Sequence, residues 1–333
     1  MANDLLEIKN LRLSFFVPSG EVKAINNVSV SLKRGDVLGL VGESGSGKSV
    51  LSHAVMGFVS PPGKILGGSI DFNGLRINEM TEKEKRIIRG TEISMIFQDP
   101  MTSLNPVYPI GTQICEVLML KNKMNRKTAW YKAEQLIKSV GIIDPQRRLT
   151  QYPHEFSGGM RQRIMIAIAL ACEPRLVIAD EPTTALDVTT QAQILELMLE
   201  MKEKKGMAII ITTHNLGIVA NMCDRIAVMY GGTIVEYGTV MDIFYESRHE
   251  YTKGLINSIP KLTAKKEEKL VPIEGTPLNM LVPPLGCPFA PRCKLCMAIC
   301  LKKRPPYTQI ASVHYSACWL NQKEEFERDA INV

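Results

Sequence analysis

Apolar positions along the chain change rhythm several times, and each change marks an element. From Leu5 to about Leu40, short runs rich in Val, Ile and Phe are separated by turn signals at Pro18 to Gly20 and Lys33 to Gly35, which predicts strands. The run Val37-Leu38-Gly39-Leu40-Val41 is uniformly apolar and enters a glycine-rich loop, after which Lys48 to Gly57 has helical composition. That order predicts a buried parallel strand, a loop and a helix. Between Asp99 and Thr150 apolar residues recur at helical spacing, notably over Ile110 to Leu120 and Ala129 to Val140, so a mostly helical subdomain interrupts the α/β pattern. The pattern resumes with a helix at Met160 to Ala171, a strand at Leu176 to Ala179, a helix at Gln191 to Lys205 and a strand at Met207 to Thr212. Alternating strand and helix means a parallel sheet, whose ligands gather at the carboxyl ends of its strands. Ile226 to Tyr230, Gly231-Gly232 and Thr233 to Tyr237 read as a hairpin. Lys261 to Gly286 mixes a charge run with prolines and reads as a linker, wrapped around the domain or hanging from it.

Composition narrows the class. With 333 residues and 45% hydrophobic content the chain can bury a substantial core. Its longest apolar stretches, such as Ile164 to Ala171, fall short of the roughly 18 to 20 residues a membrane span requires. The first ten residues lack a basic start and an apolar core, so no secretory signal is expected and the protein is placed in the cytoplasm. A net charge of +6 with both signs interspersed is that of a solvated surface and implies no nucleic-acid partner. Cys115, Cys172 and Cys223 are scattered, whereas Cys287, Cys293, Cys296, Cys300 and Cys318 crowd into the last fifth; in a cytosolic chain such a cluster suggests metal rather than disulfides.

Gly42-Glu43-Ser44-Gly45-Ser46-Gly47-Lys48-Ser49 matches the P-loop pattern at every required position, between a predicted strand and a predicted helix. Glycines let the backbone turn its amides onto phosphates, and the helix start adds positive charge. Lys48 is expected to reach the β- and γ-phosphates of ATP, and the Ser49 hydroxyl to ligand Mg²⁺. Asp180 and Glu181 follow an apolar strand and so sit at the phosphate edge. There Asp180 would hold the Mg²⁺ shell and Glu181 would polarise the attacking water. A helix start capped by acids is the plainer reading, against which Pro182 and the neighbouring motifs stand. His214 emerges after the next strand, in reach of the γ-phosphate, although a lone His after a strand is usually structural. Gln98 ends the strand Ile93 to Phe97, where an amide can meet Mg²⁺ or the lytic water.

P-loops serve kinases, G proteins, helicases and transporters alike. Phe156-Ser157-Gly158-Gly159-Met160-Arg161-Gln162-Arg163 selects among them, because it resembles the signature motif of ABC ATPases with Phe156 and Met160 replacing its usual first and last residues. Ser157, Gly158 and Gly159 open a second amide-rich helix end for phosphate. The resemblance continues through Gln98 (the Q-loop), Ala185-Leu186-Asp187 (the D-loop) and His214 (the switch histidine), over roughly residues 5 to 260. It implies two ATPase domains that sandwich two nucleotides, each P-loop facing the partner's signature. One P-loop and one signature then imply a second ABC ATPase subunit, a related chain or a copy. It also places Phe15 where the family stacks an aromatic on adenine, with Phe16 adjacent and an ordinary apolar strand residue as the alternative.

The tail sharpens the resemblance. Gly286-Cys287-Pro288-Phe289-Ala290-Pro291-Arg292-Cys293, then Cys300 and Cys318, is similar to the C-terminal extension of dipeptide and oligopeptide importer ATPases, as are Tyr152-Pro153-His154-Glu155 and Ala179 to Asp187. That resemblance implies a [4Fe–4S] cluster on Cys287, Cys293, Cys300 and Cys318, leaving Cys296 spare. A closed four-cysteine zinc site and free thiols are the alternatives. The expected architecture is α/β, a P-loop NTPase parallel sheet of the ABC ATPase type with an N-terminal antiparallel β part. Residues 1–260 would form the nucleotide-binding domain, its helical subdomain at about 99–165, and residues 261–333 the linker and Cys-rich extension. The expected activity is ATP hydrolysis energising peptide uptake from the cytoplasmic face of a membrane. Its partners would be two permease subunits, contacted near Asn105 to Ile110, and through them an extracytoplasmic peptide-binding protein. Import of nickel or another small solute is the nearest alternative. Action on ribosomes or DNA calls for paired cassettes or a long coiled-coil insertion, absent here, and a small-molecule phosphotransferase would have no use for the signature segment.

Overall fold

A computed structural model describes residues 4–99, 103–183, 186–259 and 272–322. In chain order its strands are β1 (Leu6–Val17), β2 (Gly20–Leu32), β3 (Val37–Val41), β4 (Gly63–Phe72), β5 (Leu75–Arg76), β6 (Ile93–Ile96), β7 (Leu176–Asp180), β8 (Ala208–Thr213), β9 (Arg225–Tyr230), β10 (Thr233–Thr239), β11 (Thr308–Gln309) and β12 (Tyr315–Ser316). Its helices are α1 (Lys48–Val55), α2 (Glu82–Ile88), α3 (Ile110–Asn122), α4 (Arg126–Ser139), α5 (Pro145–Leu149), α6 (Gly158–Leu170), α7 (Val188–Lys205), α8 (Leu216–Met222), α9 (Val240–Tyr245), α10 (Glu250–Asn257) and α11 (Ala298–Lys302). They fall into two compact units, one of Met1–Leu5, Leu32–Val37 and Glu79–Thr212, the other of Leu6–Ser31, Leu38–Asn78 and Thr213–Val333.

In the first unit β6, β7 and β8 are parallel neighbours, Ile93 opposite Leu176 and Asp180 opposite Thr212. Every residue of the three strands is buried, which is why they read as unbroken apolar runs rather than alternating ones. The expected helical subdomain is present. Helix α3 buries Ile110, Ile114 and Leu118, and α4 buries Ala129, Ala133 and Ile137, each set one face at four-residue spacing. Gly111 lets α3 come close to its neighbours, since a Cβ there would stand 2.7 Å from both the Leu149 carbonyl and the Trp130 ring.

The second unit carries an antiparallel sheet in the order β2-β1-β4-β5, the expected N-terminal β part. It also carries the run β11-β12-β10-β9-β3, in which β3 lies parallel to β9 and the β9–β10 hairpin turns on Gly231 and Gly232 at φ +56° and +73°. The tail is built into this unit. Strand β12 pairs antiparallel with β10, and Cys287, Phe289, Ala290 and Cys300 share one core with Val41, Val228 and Tyr251. The described part of the linker wraps rather than hangs: the Lys23 amide donates to the Met280 carbonyl at 3.2 Å.

A buried hydrogen-bond cluster closes the tail strand. Glu236 on β10 is fully buried, and its carboxylate accepts from the Arg248 amide at 2.5 Å, the His249 amide at 3.0 Å and His314 Nε2 at 2.8 Å. A carboxylate in a dry interior is tolerable only when so fully satisfied, and removing one partner of such a group is strongly destabilising.

Candidate functional site

In the second unit the buried strand β3 delivers the glycine-rich loop. A Cβ at Gly42 would sit 2.2 Å from the Met229 carbonyl, and one at Gly47 would sit 2.8 Å from that of Ala24; both residues also adopt positive φ, +150° and +106°. Only glycine fits either place. The loop folds around Lys48, which is 6% exposed, and its ammonium donates to the carbonyls of Gly42 at 2.7 Å and Glu43 at 2.9 Å. Ser46 is buried, whereas Ser44, Gly45 and Ser49 face solvent. The loop is therefore a preformed ring with a sequestered cation at its centre, the arrangement a polyphosphate needs.

Elsewhere in this unit His214 is exposed just after β8. Phe15 is half-buried, its ring against Gly63, whereas Phe16 is exposed with Lys64 Nζ 5.6 Å from its ring centre.

In the first unit the parallel register brings three of the expected residues to one strand edge. Asp180 is 6% exposed and its carboxylate accepts from the Thr212 hydroxyl on the adjacent strand. Glu181 turns out of the strand at φ +46°, its amide donating to the Thr212 carbonyl at 3.0 Å. Its carboxylate accepts from Gln98 Nε2 at 3.1 Å. Thr212 thus supports both acids, a role that nothing in local spacing marks.

Ser157 caps α6 by accepting from the Met160 amide at 3.4 Å, so the helix starts at Gly158 and not near Met160 as expected from composition. Phe156, the unusual first residue of the signature, is 3% exposed, with the Arg148 guanidinium 5.7 Å from its ring. A Cβ at Gly159 would meet the Thr190 side chain at 2.7 Å. Thr190 opens the helix capped by Asp187, which accepts from the Thr190 amide at 2.9 Å; that bond holds the Asp187 carboxyl below the usual carboxylate range. Thr184 and the first D-loop residue, Ala185, lie outside the described residues.

Cys287, Cys293, Cys300 and Cys318 line one cavity of about 20 Å³ together with His249 and Trp319, while Cys296 is exposed and does not line it. Burial pushes the Cys287 thiol up to about 12 and the Cys318 thiol up to about 11, with the neighbouring cysteines adding to the effect. Without a ligand these are protonated thiols. Among the described residues no group of three or more His, Cys, Asp or Glu is spaced to hold a metal ion.

One contact escaped sequence reasoning altogether. Arg292, directly after the apolar run from Pro288 to Pro291, forks onto Glu43 of the glycine-rich loop at 2.6 and 3.0 Å. The only available signal was a lone charge among apolar neighbours.

Comparison with known proteins defines the class first. A sequence model of the ABC transporter family matches residues 25–184, and one of the oligopeptide/dipeptide transporter C-terminal region matches residues 235–300. The dimeric ABC transporter cassette MJ0796, solved in a post-hydrolysis state bound to ADP and Pi, superposes with a TM-score of 0.64 at 25% identity, covering 71% of this chain and 98% of that one. Among relatives, the oligopeptide transport ATP-binding protein OppD of Bacillus subtilis is 52% identical over 95% of this chain and 88% of its own length. The dipeptide transport ATP-binding protein DppD of the same organism is 49% identical over 96% and 95%. The chain belongs to the ABC transporter family, among its peptide-transport ATP-binding proteins. Among the described residues no helix is long and apolar enough to cross a membrane.

Proposed function

We propose that this chain is the ATP-hydrolysing subunit of a membrane importer of di- or oligopeptides. The observation that carries the reading is identity of 52% and 49% to oligopeptide and dipeptide transport ATP-binding proteins, over 95% or more of the chain. The intact nucleotide residues support it. Lys48 leaves the loop carbonyls for the β- and γ-phosphates, and the backbone amides of residues 44–49 take the remaining phosphate oxygens. Mg²⁺, when bound, screens the phosphate charge, and Ser49, Asp180 and Gln98 are the residues that would hold it. Glu181 orients and polarises the attacking water, and His214 contacts the γ-phosphate. Ser157, Gly158 and Gly159, with Asp187, serve the nucleotide on the partner ATPase, and Phe15 stacks on adenine. ATP closes the two-ATPase sandwich and hydrolysis resets it, driving two permease subunits supplied with peptide by an extracytoplasmic binding protein.

A [4Fe–4S] cluster on Cys287, Cys293, Cys300 and Cys318 is proposed from the family resemblance; the four thiols line one cavity but are not spaced in this structure to hold a metal ion. Once bound, the cluster would cross-link the tail through four iron–sulfur bonds. Because burial holds the Cys287 and Cys318 thiols protonated, loading would release their protons and weaken as pH falls. Brown protein absorbing near 400 nm after anaerobic purification tests this; colourless protein with stoichiometric zinc contradicts it. The transport reading is tested by co-purification with two permeases and ATP-dependent uptake of a labelled peptide into vesicles holding the complex. A complex that hydrolyses ATP but moves no peptide contradicts the substrate assignment.

A further inference from the structure

The glycine-rich loop is tied to the C-terminal tail by residues that the nucleotide reading leaves unused. Glu43 occupies a free position in the loop pattern, and its amide and its carboxylate are both engaged from far away. Its amide donates to the Tyr251 hydroxyl at 2.7 Å, across 208 residues. Its carboxylate accepts the two-pronged bond from Arg292, across 249 residues. The Arg292 side chain is 4% exposed, and it also donates to the carbonyls of Ile273 at 3.0 Å and Glu274 at 2.9 Å. Its guanidinium lies 5.8 Å from the ring centre of Tyr230 and 5.9 Å from that of Phe289. The bond to Glu43 holds the Arg292 pKa further above its already high value, so the cation is permanent.

A carboxylate in a loop built to collect phosphates is an electrostatic liability. It repels the incoming polyanion, and in a poorly solvated site that repulsion falls off slowly with distance. The Arg292 fork removes the liability by cancelling the charge at close range. We propose that Arg292 is a positioning residue for nucleotide binding, which acts through Glu43 by neutralising its carboxylate so that the loop does not repel the phosphates. The inference rests on reading that loop as the ATP site. It makes the tail part of the site: Arg292 immediately precedes Cys293, and Cys287 and Phe289 pack in one core with Val41, the last residue before the loop.

The test is equilibrium binding of a fluorescent ATP analogue with Mg²⁺ to the full-length chain at low and high salt, with melting curves to confirm folding. R292Q uncovers the Glu43 charge and is expected to weaken binding about tenfold at low salt, with a smaller loss at high salt. E43Q/R292Q, which has no charge to uncover, is expected to recover to within about threefold of wild type. E43Q alone removes the repulsion and keeps the cation, so it is expected to bind at least as tightly as wild type; a merely structural bridge predicts a loss. That variant decides the matter even if R292Q does not fold. Unchanged binding by R292Q, equal losses in R292Q and the double variant, or weaker binding by E43Q would overturn the inference while leaving the ATP site standing. A wild-type chain that binds no analogue would overturn both.

Discussion

The loop at residues 42–49 and the turn at residues 156–159 both present backbone amides at the start of a helix, yet they are held in opposite ways. The loop hangs on distant residues: Tyr251 and Arg292 grip Glu43, and the Gly232 amide donates to the Ser46 carbonyl at 3.0 Å. The turn largely holds itself. Glu155 accepts from the Tyr152 amide at 2.7 Å, Ser157 caps α6, and Arg161 Nε donates to the Phe156 carbonyl at 2.9 Å, all within five residues. Under the proposed function, the loop must keep one geometry and is anchored from outside, whereas the turn would dock on a partner and release, which a self-contained segment can do. The difference explains why damage to the loop should spread through its unit and damage to the turn should stay local.

The largest effect is expected from Gly42→Ala. With a Cβ facing the Met229 carbonyl at 2.2 Å the backbone must shift, at a cost of about 3 kcal/mol, or roughly a hundredfold in ATP affinity by titration. Acidification should loosen the loop's anchor next. His249 caps α10 by accepting from the Tyr251 amide at 3.1 Å on Nδ1, which protonation would abolish. Burial lowers its pKa from 6.5 to about 4, despite the opposing pull of Glu236 and Glu250, with Lys253 adding slightly to the depression. Because the folded chain resists the proton that the unfolded chain accepts, this stability is complete above about pH 6.5 and is lost as pH falls towards 4. The full loss is up to about 3 kcal/mol. His249→Asn, which caps without titrating, should flatten that part of the melting temperature against pH; an unchanged slope would remove His249 from the account. The smallest effect belongs to the turn. Ser157→Ala should cost about 1 kcal/mol of helix capping, read by thermal melting, and leave ATP affinity of the single chain unchanged.

Much of this was legible in the chain itself, for identifiable reasons. The strands β3, β7 and β8 are buried on both faces, so their sequences are uniformly apolar, and the glycine-rich loop is constrained so tightly that its pattern admits few substitutes. Helix starts were misjudged where a cap and not an apolar stripe sets the boundary: α6 begins at Gly158 because Ser157 caps it, and α7 at Val188 because Asp187 does. The convergence of four of the five tail cysteines was readable only through family resemblance. The pairing of β12 with β10, the Glu236–His314 bond and the Arg292 fork depend on residues 78 to 249 positions apart in the chain, and no periodicity carries such information. Thr212 escaped for a related reason, since only the parallel register sets it beside Asp180.

The proposed division of labour is the centre of the account: Lys48 and the loop would bind ATP, and Glu181, held by Gln98 and Thr212, would drive hydrolysis. Its most direct test is Glu181→Gln, with ATP binding and steady-state turnover measured on the same preparation. The account predicts affinity close to wild type and turnover lowered about a hundredfold or more. Turnover near the wild-type rate would contradict it.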